Sequence, residues 1–196
     1  MWKNKNNIGL FAKEYFNELV EAFNLIPENG FDEIVNMLQS VYKSGKHVFL
    51  IGNGGSAATA SHFANDLSKG TMCDGKKRFK AFSLTDNIPL VTAWANDANF
   101  EKIFVEQLYN LFQKGDIVIA ITGSGNSPNI LKAVEFANSK GGTTFGFIGF
   151  EGGKLKDIVQ KSIIVESNKQ EIIEDIHLIL EHIICKYLKF RLEESS

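Results

Sequence analysis

HVFLIGNGGSAATASHFANDL, residues His47–Leu67, decides how the chain is read. A short apolar, β-rich run, His47–Ile51, ends at Gly52, Gly54 and Gly55, and a segment of helical composition follows at once. A strand that stops on glycines and passes directly into a helix is the βα unit of a parallel sheet. DIVIAITGSGNSP, Asp116–Pro128, repeats the arrangement. Lys80–Leu84, Thr143–Gly149 and Ser162–Glu166 are three further strand candidates. Helical patterns near 57–69, 88–95, 100–113, 128–140 and 170–191 alternate with them.

Strands that read as continuous apolar runs are buried on both faces. The expectation is an α/β fold: a three-layer sandwich with a five-stranded parallel sheet, flavodoxin-like, preceded by an N-terminal α-hairpin. The hairpin is read from Phe11, Tyr15, Leu19, Phe23 and Ile26, then Phe31, Ile34, Val35, Leu38 and Val41, recurring at helical steps. Pro27-Glu28-Asn29-Gly30 separates the two runs. Residues 1–196 are expected to form one domain, with the hairpin, 1–45, packed on it or in an oligomer interface.

Composition narrows the function classes. The 196 residues are 44% hydrophobic and 22% charged, which suits an ordinary globular chain. The 21 Lys+Arg against 23 Asp+Glu leave a net charge of −2, so the basic footprint of a nucleic-acid binder is missing. No window holds the roughly 20 apolar residues that cross a bilayer, and no membrane partner is expected. The N-terminal MWKNKNNIGLFAKEYF lacks the apolar stretch of a secretory signal. Cys73 and Cys185 have no paired spacing, which fits a reducing compartment. These signs together predict a cytoplasmic protein.

In a parallel sheet the ligand site lies beyond the carboxyl ends of the strands. Two loops fall there. In Gly52-Asn53-Gly54-Gly55-Ser56, glycines let backbone N–H groups approach an anion, and the following helix N-terminus adds partial positive charge. The loop nominally matches a dinucleotide fingerprint. That fingerprint also needs an acidic residue about 20 positions on, at the end of the next strand. Here the position falls near Asp74, before the strand, and no Walker-type lysine follows either loop, so no nucleotide cofactor is expected. The second loop, Thr122-Gly123-Ser124-Gly125-Asn126-Ser127, ends on an expected N-cap serine with Pro128 at the first helical position. Plain tight turns favour the same residues. Two such loops at one sheet edge, one rich in hydroxyls, favour a compact phosphate and hence a phosphorylated sugar.

The helix after the first loop carries His62, Asn65 and Asp66, with His62 and Asp66 on one face. The last helix carries Glu171, Glu174, His177, Glu181 and His182. Glu174 and His182 are two turns apart and about 80° apart around the axis, whereas His177 points roughly 140° from His182. His177 therefore reads as structural. Glu181 and Glu193-Glu194 read as solvated charges, and Trp94 as core or interface. Asn96-Asp97 reads as a cap or a ligand-facing pair.

GNGGSAATASHFANDL, the Asn96-Asp97 pair, TGSGNSPNILKA and EIIEDIHLILEH resemble the sugar isomerase (SIS) domain family, and within it the phosphoheptose isomerases, over nearly the whole chain. The resemblance implies a homotetramer with active sites between subunits. It also implies an aldose–ketose isomerase that converts D-sedoheptulose 7-phosphate to D-glycero-D-manno-heptose 7-phosphate through an enediol. That reaction opens bacterial ADP- or GDP-heptose synthesis, for lipopolysaccharide or capsule. By resemblance, Asp66 takes the catalytic carboxylate position and His182 the catalytic histidine position. Asn53, Gly54, Gly55, Ser56, Asn96, Asp97, Thr122, Gly123, Ser124, Ser127 and Glu174 match substrate- and phosphate-contacting positions. Some members bind zinc through positions matching His62, Asp66, Glu174 and His182, and imidazole and carboxylate are ordinary zinc ligands.

Two residues depart from the family pattern. The usual catalytic residue is Glu, and Asp66 is shorter by one C–C bond, about 1.5 Å. The family often has Gln where this chain has Glu174. The expectation is that the two changes compensate, Glu174 restoring carboxylate reach as an alternative base or a stronger metal ligand. Two other readings stay open: a non-catalytic SIS adaptor of the replication-initiator-binding type, and an isomerase or sensor for another sugar phosphate.

Overall fold

A computed structural model describes residues 6–194. Five parallel strands, β1 (His47–Gly52), β2 (Lys80–Ser83), β3 (Ile117–Thr122), β4 (Thr143–Gly149) and β5 (Lys161–Val165), form one sheet in the order β2-β1-β3-β4-β5. Their bounds fall within about a residue of the apolar runs, because those runs are what two-sided burial requires. Successive side chains point to opposite faces, and each face has its own core. Val48, Leu50, Ile117, Ile119, Ile121, Phe145 and Phe147 pack with α1 (Ile8–Asn24), α2 (Glu28–Ser44), α3 (Gly55–Asn65) and α7 (Gln170–Glu194). Phe49, Ile51, Val118, Ala120 and Ile148 pack with α5 (Val105–Leu111) and α6 (Pro128–Ser139). The hairpin α1–α2 thus shares a core with the sheet. Residues 1–5, the start of the expected hairpin span, and 195–196 lie outside the described residues.

Three local expectations are corrected. Gly30 lies inside α2 rather than in the turn before it, with Pro27 as N-cap. Its backbone packs so closely on β5 that a Cβ would lie 2.8 Å from Ile163 Cγ1. The helix expected over 100–113 is broken into a 3-10 turn, Phe100–Lys102, and the short α5. The helix expected over 57–69 starts at Gly55 and ends in a π turn, Asp66–Gly70, where Thr71 N–H reaches back to the Asp66 carbonyl at 3.0 Å. Such wide turns recur at functional sites.

The strand order creates the site. From β1 the chain crosses through α3, on one face, to β2. From β3 it crosses through α6, on the other face, to β4. Adjacent strands whose connections leave in opposite directions open a crevice at their carboxyl ends. Both glycine-rich loops border that crevice.

Candidate active site

The first loop turns at Gly54, whose φ of +56° is a left-handed conformation that a side chain would strain. Gly55 then begins α3, and no side chain caps the helix there. Its amides are left to a ligand or solvent. In the second loop, Thr122 Oγ1 accepts from Gly125 N–H at 3.2 Å, and Ser124 Oγ accepts from Asn126 N–H at 3.2 Å. Ser127 is the N-cap of α6 and Pro128 is its first residue, as the sequence predicts, yet the Ser127 side chain makes no capping bond. Ser124 is exposed, Ser127 half-buried and Ser56 buried. The loops are tied together by a pair the sequence reading missed. Asn53 Nδ2 donates to Asn129 Oδ1 at 3.0 Å, and Asn129 Nδ2 returns a bond to Asn53 Oδ1 at 2.8 Å. Nothing local flags Asn129, whose partner lies 76 residues away.

The start of α7 is seated over both loops. Gln170 Nε2 donates to Glu174 Oε1 at 2.6 Å. A Cβ on Gly55 would meet Glu174 Oε2 at 2.6 Å, and one on Gly123 would meet Gln170 Oε1 at 2.7 Å. At both glycines the close neighbour is the far end of a flexible side chain. Glu174 stands at the amino end of α3, where a negative charge is favoured by the helix dipole.

Two turns further along α7 lies a different arrangement. His62, Asp66, Glu181 and His182 each offer a donor atom, and these atoms all lie within 4.8 Å of one another. His62 Nε2 and His182 Nε2 are 3.2 Å apart, with their rings edge to face. Glu181 Oε1 is 3.3 Å from His182 Nε2 and 3.6 Å from His62 Nε2. Asp66 Oδ2 is 3.8 Å from His62 Nε2, and Asp66 Oδ1 accepts from Asn65 Nδ2 at 3.0 Å. Both histidines are exposed and Asp66 is half-buried.

The expected set of His62, Asp66, Glu174 and His182 is thus gathered only in part. Glu174 is engaged with Gln170 against Gly55, and the second carboxylate of the cluster is Glu181. Reading Glu181 as a solvated charge was wrong, since the residue is fully buried. Burial, and then the charge on nearby Asp66, push its carboxyl up to about 8. The signal was present. Ile173, His177, Leu180, Ile184 and Leu188 recur in helical phase, and Glu181 falls within that stripe. His177 is buried beside Phe147, as its structural reading expects, and burial lowers its imidazole to about 4. Asn96 and Asp97 close α4 (Ile88–Asp97), exposed, with Asn96 Nδ2 donating to Asp97 Oδ1 at 2.8 Å.

Comparison with known proteins identifies the architecture. The SIS domain family model matches residues 13–149. A phosphoheptose isomerase of Aquifex aeolicus is 35% identical over 188 residues, covering 94% of this chain and 98% of its own. The chain belongs to the phosphoheptose isomerase branch of the SIS-domain family. Another relative, from Nitratiruptor sp., is 38% identical over 146 residues, 74% of this chain and 78% of its own, and is likewise a phosphoheptose isomerase. A solved phosphoheptose isomerase structure from Francisella tularensis superposes with a TM-score of 0.85 at 27% identity, covering 93% of this chain and 96% of that one. The family's fold accounts for the parallel sheet and the crevice. Two imidazoles with two carboxylates also suit a small divalent cation such as Zn2+. The orphaned buried carboxylate of Glu181 adds to that fit.

Proposed function

We propose that the protein is the aldose–ketose isomerase that turns D-sedoheptulose 7-phosphate into D-glycero-D-manno-heptose 7-phosphate, at the head of heptose synthesis. The observation that carries this reading is the placement of a carboxylate–imidazole cluster beside two anion-shaped loops at one switch-point crevice. The phosphate is held by the backbone amides at the starts of α3 and α6 and by the hydroxyls of Ser56, Thr122, Ser124 and Ser127. Asn53, Gly54, Gly55 and Gly123 shape that cradle, and Glu174, with Asn96 and Asp97, meets the sugar hydroxyls.

The chemistry then falls to the cluster. Asp66 takes the proton from C1 of the open-chain ketose, and the electrons of that C–H bond form the C1–C2 double bond of the enediol. The proton is returned to C2. His182 carries a proton between the oxygens on C1 and C2, so that the carbonyl moves from C2 to C1. The cluster's side chains, with His62 and His182 at their centre, would hold a divalent metal such as Zn2+, and the chemistry it would supply is that of a Lewis acid toward the carbonyl oxygen. Asp66 Oδ2 lies 3.8 Å from His62 Nε2, which places the base beside the imidazoles.

We also read the working protein as a homotetramer with sites between subunits. Ile183, Tyr187 and Phe190 make an exposed apolar stripe on α7, and Phe16 and Val20 make another on α1, which supports burial against further copies. Among the described residues no helix is long and apolar enough to cross a membrane. Two free cysteines and a sugar-phosphate substrate favour the cytoplasm.

The test is isomerisation of sedoheptulose 7-phosphate by purified protein, followed by NMR with and without added Zn2+. Appearance of the heptose 7-phosphate is expected. A folded protein that turns over neither this substrate nor its aldose product, with or without Zn2+, overturns the reading. Turnover of a pentose or hexose phosphate alone replaces the substrate.

A further inference from the structure

Glu181 is a buried acid whose carboxylate makes no hydrogen bond among the described residues and faces two imidazole nitrogens, 3.3 and 3.6 Å away. Its side chain is 1% exposed. Neither carboxylate oxygen has a hydrogen-bond partner among the described residues. A carboxylate so placed is costly unless a cation or a good donor faces it. The groups that do face it are His62, His182 and Asp66, and Asp66 is itself acidic. Two imidazole nitrogens point toward the same space, 3.2 Å from each other.

The spacing of these atoms has a simple chemical match. In tetrahedral zinc sites the metal–N and metal–O bonds are about 2.0–2.1 Å, so two ligand atoms sit about 3.3–3.4 Å apart. His62 Nε2, His182 Nε2 and Glu181 Oε1 form a triangle with edges of 3.2, 3.3 and 3.6 Å. Asp66 Oδ2 stands further off, 3.8 Å from His62 Nε2. The triangle is one face of such a tetrahedron. Two histidines and one glutamate also make a three-ligand set of the kind that leaves a fourth position open for substrate.

We propose that Glu181 is a metal ligand, holding a divalent cation such as Zn2+ together with His62 and His182, and that this leaves Asp66 outside the ligand set as the mobile base. The proposal rests on the reading of this cluster as the reacting centre. It revises the expected compensation: the residue that answers the shortened carboxylate is Glu181 rather than Glu174. A base that also bound the metal would have its lone pairs and its motion restricted. Handing that task to a buried, immobile glutamate frees the shorter, half-buried aspartate for proton transfer.

Metal binding tests this without any assay of turnover. Zn2+ affinity is measured by chelator competition on the full chain, and ligand geometry by the visible spectrum after Co2+ loading. Glu181→Gln should weaken Zn2+ binding by about 100-fold or more and abolish the intense bands of four-coordinate Co2+. Glu174→Gln and Asp66→Asn should stay within a few-fold of the parent, with those bands retained. Unfolding of the metal-free Glu181→Gln variant should occur no earlier than in the parent, because the carboxyl it replaces makes no hydrogen bond among the described residues. Should that variant not fold, Glu181→Asp decides, and it must also lose affinity. Parent-like Zn2+ affinity in the Glu181 variants overturns the proposal, as does an equal loss in Glu174→Gln or absence of Zn2+ binding in the parent. A protein that binds Zn2+ as expected but leaves sedoheptulose 7-phosphate unchanged would sink the substrate reading and leave Glu181 its role.

Discussion

The two halves of the crevice are made in different ways. The loops after β1 and β3 are shaped by main chain: left-handed glycines, hydroxyls that accept from nearby amides, and helix starts left uncapped. The cluster is made by side chains from α3, the π turn that closes it, and α7, which meet because both helices pack on the same face of the sheet. The loop half suits binding of a diffuse anion, where many weak donors share the load. The cluster half suits bond-making, where one oxygen and one nitrogen must be in place.

That division can be broken by kinetics. Asp66→Asn and His182→Gln are expected to lower kcat by about 10²–10⁴, the range for removing a placed acid or base, with KM little changed. Ser127→Ala should chiefly raise KM. Equal kcat losses in the Ser127 and Asp66 variants would abolish the distinction between a binding half and a reacting half.

The difference also explains what could be read in advance. Five strands, their parallel direction and both loops are contiguous in the chain, so apolar runs and glycine spacing expose them. The break between Phe100 and Leu111 is tertiary, and so is the entry of Gly30 into α2 against Ile163. The Asn53–Asn129 pair joins residues far apart in sequence. Glu181 was misassigned for a physical reason. A charged residue on a helix is usually solvated, and its place within the buried stripe outweighs that prior only when the stripe is followed residue by residue. The identity of Glu174's neighbours, Gln170 and Gly55, needed the seating of α7 over the loops.

The next largest effect concerns α7, which serves both halves. His177 is buried between Glu174 and Glu181 on that helix, and burial lowers its imidazole from 6.5 to about 4. The folded protein keeps it neutral, while the unfolded chain takes up a proton as pH falls through 6.5. Stability from this group is therefore full above pH 6.5 and is lost progressively down to about pH 4. At about 1.4 kcal/mol per pH unit the loss approaches ~3 kcal/mol. Denaturant unfolding at pH 7 and pH 4.5 measures it. His177→Leu should shrink the difference between the two pH values, and an unchanged difference would locate the acid sensitivity elsewhere.

The smallest effects come from adding one methyl group, and they separate main-chain from side-chain constraint within the first loop itself. On Gly52 a Cβ would lie 2.4 Å from the Ser56 carbonyl oxygen, a backbone atom fixed by α3. Gly52→Ala should therefore cost about 1–3 kcal/mol of stability, the range for overpacking a rigid site. On Gly55 the same atom meets Glu174 Oε2 at 2.6 Å, the far end of a flexible side chain. Glu174 can swing aside, so Gly55→Ala should cost less than about 1 kcal/mol, since nothing rigid must move. The Glu174–Gln170 hydrogen bond would be disturbed, and KM for the sugar phosphate should rise while kcat holds. Adding Glu174→Ala to Gly55→Ala makes this decisive. If the clash with that carboxylate is the cause, the second substitution removes it, and Gly55→Ala should then have no further effect on stability. A persisting loss would mean that the start of α3 itself, rather than the side chain above it, requires glycine.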